Sequence, residues 1–348
     1  MASELKIGGT VIRPGQRRLV ELAIPDLYTH TSLNIPVQVI NGRQDGPRLM
    51  VSAAIHGDEI NGVEIIRRLL NLKILDRIRG SLVAVPVVNV YGFINQSRYL
   101  PDRRDLNRSF PGSESGSLAA RLAYTFINDI VDNCSHGIDL HTAAIHRENL
   151  PQIRAYLDSD EIKRMAQAFT TPVVLHSNLV DGSLRQALYD RDFPIIVYEA
   201  GEALRFNEVA IRAGVQGIVS VMRELGMLPK QRRKGQKYEP LVTRNSSWVR
   251  APQSGIMRMV TPLGAQVDQG QLLGVISDPF GEREESVEAP VSGIVIGRVN
   301  IPLANEGEGL FHIAHFRRAD GLQDHLDTFQ DQMDPASDDQ SPTETPIV

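Results

Sequence analysis

Short apolar runs alternate with amphipathic stretches along the first two thirds of the chain. Runs rich in branched side chains, typical of buried β-strands, lie at residues 48–55, 81–90, 137–140, 171–175 and 194–198. Apolar residues recur at three- and four-residue intervals, which predicts helices, at residues 60–72, 117–131, 161–169 and 207–225. Strands that alternate with helices predict a three-layer α/β domain with a mostly parallel or mixed sheet, preceded by a short β segment, over residues 1–228.

The alternation stops near Met227, and the pattern after it differs. A polar, basic stretch predicts a linker over residues 229–244. Beyond it, the sequence VRAPQSGI at 249–256 recurs as VEAPVSGI at 287–294, 38 residues later. Two glycine-punctuated units of this kind predict a small all-β domain over residues 245–318, and they resemble the barrel-sandwich fold of lipoyl and biotinyl carriers. Lys237 is the last lysine of the chain, so we expect no covalently carried cofactor.

Composition and charge narrow the class of protein. The 348 residues have a formal charge of −5, but eight acidic residues and no Lys or Arg lie between Asp320 and Glu344, so the rest of the chain is near +3. That charge is too small to predict a nucleic-acid partner, and the polar, acidic segment 319–348 predicts a disordered tail. No apolar run reaches the roughly 18 residues of a membrane span, and Cys134 stands alone. These features predict a cytoplasmic protein with no membrane partner; homo-oligomerisation stays open.

Four polar residues lie at or just after the ends of predicted strands. His56 and Glu59 follow the first run, His141 ends the run at 137–140, and Glu199 ends the run at 194–198. In open α/β sheets ligands bind beyond the carboxyl ends of strands, so these side chains should meet. Two histidines and one glutamate are a ligand set of catalytic zinc, one ion per chain, and favour zinc over other divalent ions. Glu199 is then placed to act as a general base.

An arginine-rich loop follows the second strand. Residues 98–108 contain four arginines, and proline and glycine punctuate the surrounding segment. Asn107 and Arg108 together offer an amide and a guanidinium that can hold a carboxylate in a fixed plane. A second arginine can polarise a carbonyl group and stabilise its oxyanion.

These blocks resemble the succinylglutamate desuccinylase/aspartoacylase family, which is related to the zinc carboxypeptidases. The resemblance rests on His56-x-x-Glu59, the stretch from Arg98 to Arg108, Asp139-Leu140-His141 and Glu199-Ala200-Gly201, and spans roughly residues 35–230. It implies zinc held by His56, Glu59 and His141, with Glu199 as the base. It also implies that Arg98 polarises the carbonyl, and that Asn107, Arg108 and Arg185 bind substrate. The spacing from Arg98 to Asn107 is longer than in the two named enzymes, so Arg103 stays an alternative to Arg98.

Three hypotheses about function follow. The first is a zinc amidohydrolase that deacylates an N-acyl amino acid or a similar small anionic amide, and we favour it because a covering second domain would restrict access. The second is a metallocarboxypeptidase, because the same side chains serve both reactions. The third is a non-catalytic binding module on the same scaffold, which the full set of ligands and the base disfavours.

Overall fold

The computed structural model describes residues 2–230, 240–316 and 322–334. The strands of the first part are β1 Leu5–Ile7, β2 Thr10–Ile12, β3 Arg17–Ile24, β4 Leu33–Asn41, β5 Gln44–Ala53, β6 Arg79–Val85, β7 His136–Ala143, β8 Arg147–Ala155, β9 Val173–His176 and β10 Ile195–Glu202. Those of the second part are β11 Leu241–Thr243, β12 Ser246–Arg250, β13 Gly255–Met259, β14 Gln266–Val267, β15 Leu272–Ser277, β16 Glu284–Glu288, β17 Gly293–Val299, β18 Leu303–Ala304 and β19 Gly309–His315. The helices are α1 Asn61–Leu70, α2 Val90–Ile94, α3 Leu118–Thr125, α4 Asp160–Ala168, α5 Leu184–Tyr189, α6 Glu208–Glu224 and α7 Leu322–Met333.

The main sheet is mixed, with parallel strands at its centre. Within it β10, β7, β5 and β6 lie side by side and run parallel, whereas β4 pairs antiparallel with β6, and β8 pairs antiparallel with β10. The central strands are buried on both faces, which explains why β6 contains the continuous apolar run 82–85 instead of an alternating pattern.

Helices cover both faces of this sheet. On one face α1, α4 and α6 pack their apolar sides, through Ile65, Met165 and Ile218 among others, into one buried cluster. On the other face α3 and α5 contribute Leu122 and Leu188 to a second cluster. The three-layer α/β architecture expected from the sequence is therefore confirmed.

The repeated sequence units fold into two β-sheets that enclose their own core. One sheet has the order β16-β15-β13-β18, and the facing strands β12, β19, β17 and β14 belong to the main sheet. Each copy of the repeat is a strand, a turn and a second strand that crosses from one sheet to the other, β12 to β13 and β16 to β17. The small all-β region is therefore confirmed, but it is not detached, because β17 pairs antiparallel with β8.

Two segments differ from their predictions. Residues 241–243, expected to be linker, form β11, which extends the sheet by pairing in parallel with β9. Residues 322–333, expected to be disordered, form α7, whose Leu326, Phe329 and Met333 are buried. Apolar residues at this helical spacing find a partner surface on the α/β core, and that outweighs the acidic composition. The rest of the predicted linker and tail, residues 231–239, 319–321 and 335–348, lies outside the described residues.

Among the described helices, none combines the length and the apolar character needed to cross a membrane.

Candidate active site

The turn after β5 carries the first two predicted ligands. His56 and Glu59 lie between the end of β5 and the start of α1, and both side chains are buried. Gly57 between them has no room for a side chain, since a Cβ there would lie 1.9 Å from the carbonyl carbon of Gly92. Ala54 takes a left-handed conformation, with φ of 52°, at the start of this turn. Such a conformation is costly for alanine and is held here by the surrounding packed segment.

The other two predicted residues come from adjacent strands. His141 lies on β7, and Glu199 is its register partner on the parallel strand β10. One ligand atom each from His56, Glu59 and His141 lie within 4.8 Å of one another. The structure therefore brings together all three residues that the sequence predicts as metal ligands, with the predicted base on the next strand.

Glu59 is the centre of this group. Its Oε1 lies 2.7 Å from Nδ1 of His56, its Oε2 lies 2.8 Å from Nδ1 of His141, and Oε2 also accepts a hydrogen bond from the backbone N–H of Thr142 at 3.1 Å. Burial alone would raise the pKa of Glu59, but the two histidines outweigh burial and hold that pKa far below its usual range.

Two aspartates hold the opposite sides of the imidazole rings. Asp105 Oδ1 lies 3.1 Å from His56 Nε2, and Asp139 Oδ2 lies 2.7 Å from His141 Nε2. Ser52 in turn donates from its hydroxyl to Asp139 Oδ1 at 2.8 Å. Carboxylates in this position fix the orientation of a ligand ring and make its other nitrogen a better donor. Sequence analysis did not single out Asp105, and the only signal for it was its place in the arginine-rich loop.

The donor set fits a divalent cation. Both Nδ1 atoms face the Glu59 carboxylate, so two nitrogens and one oxygen converge on the same buried volume. Three carboxylates surround the two imidazoles, and a charge of +2 among them offsets most of that negative charge. Imidazole and carboxylate donors in a set of three are typical of catalytic zinc sites. His56, Glu59 and His141 are thus the residues that would hold the ion.

The same carboxylates act on the histidines. Burial alone would lower the pKa of both rings, but the carboxylates of Glu59 and Asp105 raise the pKa of His56. Those of Asp139 and Glu59 raise the pKa of His141 well above its usual value. A cation bound by these nitrogens therefore competes with protons.

The structure places Arg98 and Arg103 in different surroundings. Arg98 donates to Asp105 Oδ2 from Nε at 3.2 Å and from Nη2 at 2.9 Å, and its Nη1 lies 3.4 Å from Glu59 Oε1. Arg103 is exposed and does not line the cleft described next. Of the two arginines that the sequence left as alternatives, Arg98 is the one beside the ligand group.

A cleft of about 310 Å³ opens over the ligand group and contains the predicted substrate residues Asn107, Arg108 and Arg185. Asn107 accepts from the backbone N–H of Leu184 at 2.9 Å through Oδ1, which ties the loop to the start of α5. Arg108 donates to the Asn107 carbonyl oxygen at 2.6 Å.

Arg185 is held in the same cleft by neutral oxygens. It donates from Nη1 to the Ser177 carbonyl oxygen at 3.0 Å, and from Nη2 to Ser177 Oγ and the Asn178 carbonyl oxygen, each at 3.2 Å. Burial, together with the nearby charge of Arg154, lowers the pKa of Arg185 to about 10. Arg185 still carries a full positive charge at neutral pH.

Glu199 also lines the cleft and is mostly buried. Its Oε2 accepts from Asn149 Nδ2 at 3.0 Å, and its Oε1 lies 3.8 Å from Arg154 Nη1. Sequence analysis missed both partners, which lie on β8, because no pattern in the sequence indicates that this strand pairs beside β10.

The small all-β region formed by β12 to β19, called the second domain below, closes one side of the cleft through Trp248 and Arg298. Trp248 stacks on His312 with ring centroids 4.6 Å apart, and the guanidinium of Arg147 lies 5.3 Å from the Trp248 ring centroid. Arg298 lies 3.6 Å from the Glu148 carboxylate. These residues carry no motif, and their approach to the cleft depends on the pairing of β17 with β8.

Comparison with known proteins agrees with this geometry. Residues 45–225, a little over half of the chain, match the family described as the succinylglutamate desuccinylase/aspartoacylase catalytic domain. The chain belongs to this family. The match includes the ligand group, the arginine-rich loop and Glu199, so the resemblance inferred from sequence is confirmed. The family takes its description from two deacylating enzymes, succinylglutamate desuccinylase and aspartoacylase.

Individual relatives extend the likeness over most of the chain. It is 26% identical over 297 residues to the N-alpha-acetyl-L-2,4-diaminobutyric acid deacetylase of Halomonas elongata, covering 80% of this chain and 85% of that one. The product-bound structure of the ectoine utilization protein EutE (DoeB) from Ruegeria pomeroyi is similar at a TM-score of 0.77 and 22% identity, over 86% of this chain and 95% of that one. A succinylglutamate desuccinylase/aspartoacylase from Rhodobacter sphaeroides gives the same TM-score and identity, over 87% and 96%. The two structural matches show that the fold extends through both domains.

Proposed function

We propose that the protein is a zinc-dependent deacylase that hydrolyses the amide bond of a small anionic N-acyl amino acid. The observation that carries the proposal is the convergence of His56, Glu59 and His141 in a cleft that also holds Glu199 and two arginines bound to neutral oxygens. Such a cleft offers a cation site, a base and positive charge for substrate within one small volume.

The ion would be held by the two imidazoles and the Glu59 carboxylate. When bound, zinc supplies Lewis acidity, lowering the pKa of a bound water to about 7 and polarising a carbonyl group. Asp105 and Asp139 keep the ligand rings oriented throughout.

The chain's own residues account for the other steps. Glu199 accepts a proton from the attacking water, whose oxygen forms a bond to the amide carbon. Arg98, whose Nη1 points at the ligand group, stabilises the negative charge that develops on the carbonyl oxygen. Glu199 then returns the proton to the leaving nitrogen as the carbon–nitrogen bond breaks, which releases an acid and an amine.

The cleft supports an anionic substrate. Among the described residues no carboxylate oxygen lies within 4.0 Å of a side-chain nitrogen of Arg108 or Arg185. The other arginines that line the cleft each have at least one such oxygen: Arg98, Arg147, Arg154 and Arg298. A substrate carboxylate held by Asn107, Arg108 and Arg185 would supply the missing negative charge. The cover formed by Trp248 and Arg298 supports a small amide over a peptide chain.

The test is a panel of N-acyl amino acids and short peptides, incubated with the purified protein with and without a chelator, with detection of the released amine. Release from acyl amino acids that the chelator abolishes and zinc restores is the expected result. Release only from peptide C-termini would make the protein a carboxypeptidase.

The matched variant is Glu199→Gln, which keeps the shape of the side chain. We expect it to retain stoichiometric zinc, measured by elemental analysis, and to lower kcat by roughly 100-fold or more. Unchanged turnover in this variant would overturn the assignment of Glu199 as the base. Bound zinc without turnover of any panel member in the wild type would support a binding module instead.

A further inference from the structure

The Glu199 carboxylate accepts a hydrogen bond from a side chain on β8, next to the strand β17 of the second domain. Asn149 is buried and donates from Nδ2 to Glu199 Oε2 at 3.0 Å. It is the one neutral side chain among the described hydrogen-bond and ion-pair partners of that carboxylate, since Oε1 faces Arg154 at 3.8 Å. A hydrogen bond to one oxygen of a carboxylate fixes which oxygen is left to act on the substrate.

Asn149 lies between two glycines. On β8 its register partner toward β10 is Gly201, and its partner toward β17 is Gly297. Directly opposite residues on neighbouring strands have Cβ atoms about 4.5–5.5 Å apart and compete for the same space. Gly297 leaves that space to the Asn149 amide, whereas a Cβ on Gly201 would meet Asn61 and Asn207 instead.

Position 297 on β17 lies close enough to the Asn149 amide for a substitution there to displace it. A Cβ added to Gly297 would lie 2.9 Å from Asn149 Oδ1 and 3.3 Å from the Cβ of His312. The backbone of β17 is paired with β8 and holds its position, so the Asn149 amide is the group that would have to move.

We propose that Asn149 is a positioning residue for the general base, and that β17 of the second domain fixes Asn149 and thereby the reactive orientation of Glu199. The proposal rests on the proposed function, in which Glu199 transfers the proton. It gives the second domain a part in the chemical step, in addition to its cover over the cleft.

The first variant is Asn149→Asp, which keeps the shape of the side chain and replaces the donor by an acceptor. We expect kcat to fall roughly 10- to 100-fold, the effect of losing one hydrogen bond to a charged group. KM and zinc content should stay within twofold, because Asn149 holds the base and not the substrate. A raised KM with unchanged kcat would make Asn149 a substrate contact and overturn the proposal.

The second variant acts from the other domain. Gly297→Ala should lower kcat several-fold with KM unchanged. Its matched control is Gly274→Ala on β15, where a Cβ would meet the carbonyl oxygen of Arg258 at the same 2.9 Å but lies in the other sheet of the domain. Both should lower Tm, and only Gly297→Ala should lower kcat. Equal kcat in the two variants would overturn the role of β17.

A double-mutant cycle that measures Tm tests the contact between Asn149 and Glu199 without an activity assay. Asn149→Asp is expected to lower Tm, because it places two carboxylates opposite one another. Glu199→Gln should lower Tm less, because its amide oxygen can still accept from Asn149 Nδ2 and only the charge that faces Arg154 is lost. In the double variant the amide introduced at position 199 can donate to the carboxylate introduced at position 149, so Tm should recover above the sum of the two losses.

Additive losses of Tm would show that the two side chains are not coupled and would overturn the proposal. If the wild type deacylates nothing in the panel, the proposed function fails, and this cycle still decides whether Asn149 holds Glu199.

Discussion

The two ends of the cleft differ in how their charges are matched. At the ligand end charged side chains pair with one another: Glu59 lies between His56 and His141, and Arg98 donates twice to Asp105. At the substrate end Arg108 and Arg185 are bonded to neutral oxygens.

The two ends of the cleft therefore differ in how their charges are arranged before anything binds. The ligand end is fixed by folding, because its charges hold one another in place. In the proposed function the substrate end keeps positive charge that a substrate anion would complete, so its contacts would add to binding when the substrate arrives. Variants at the two ends should therefore differ in kind as well as in size.

The largest effect is expected at the ligand end. Glu59→Gln removes the charge that both imidazoles share and replaces a ligand oxygen by a weaker donor. Zinc affinity, measured by competition with a chromophoric chelator, should fall by more than roughly 100-fold, the upper range for losing an outer partner of a ligand. Deacylation should disappear with the metal.

A graded control is Asp139→Asn, which removes one outer carboxylate and leaves all three ligands. Its zinc affinity should fall by about 10- to 100-fold. If Asp139→Asn lowered zinc affinity as much as Glu59→Gln does, the division into three ligands and an outer carboxylate that orients one of them would be wrong.

A smaller effect is expected at the substrate end. Arg185→Gln keeps hydrogen-bonding capacity and removes the charge, so KM for an anionic acyl amino acid should rise roughly 10-fold or more, with zinc content unchanged. Arg103→Gln is the matched control, because Arg103 is exposed and outside the cleft. It should leave KM and kcat unchanged, and a loss of kcat there would transfer the role of Arg98 to Arg103.

The smallest effect is a pH dependence of the metal-stripped protein. The raised pKa values of His56 and His141 give stability that is complete below their usual value of 6.5 and is lost as pH rises through the folded values. The lowered pKa of Glu59 gives stability that is present above 4.5 and is lost as pH falls through its folded value. Tm of the stripped protein should therefore fall by a few degrees between pH 6.5 and pH 9.

Zinc should reverse this trend on the alkaline side, because it binds deprotonated imidazoles and gains affinity as protons leave. Thermal scans with and without zinc across this range provide the check. A stripped protein whose Tm rises above pH 6.5 would contradict the charge matching described for the ligand end.

The sequence was most informative where chemistry coincides with the end of a buried strand. His56, His141 and Glu199 each follow an apolar run, and parallel strands bring such ends together whatever the details of packing. A separate pattern, apolar residues at regular three- and four-residue intervals, predicts the helices that the structure shows as α1, α4 and α6.

What the sequence did not reveal depends on contacts between distant segments. The pairing of β8 with β10 and β17 has no local signal, so Asn149 and Arg154 could not be connected with Glu199. α7 was missed for a different reason: its apolar residues, such as Leu326 and Phe329, have helical spacing, but the acidic composition around them favoured disorder. The segment forms a helix because residues such as Phe329 are buried against the core, and this burial outweighs the acidic composition.

The pairing of β17 with β8 also bears on how this protein can be engineered. A chain shortened before β12 would lose the pairs that Gly297, Arg298 and Val299 make with residues 147–149, and would expose that part of β8 as a sheet edge. Open edges of this kind recruit other strands and promote aggregation. The α/β part of the chain should therefore not be used without the second domain, and fusion proteins should keep the chain intact through β19.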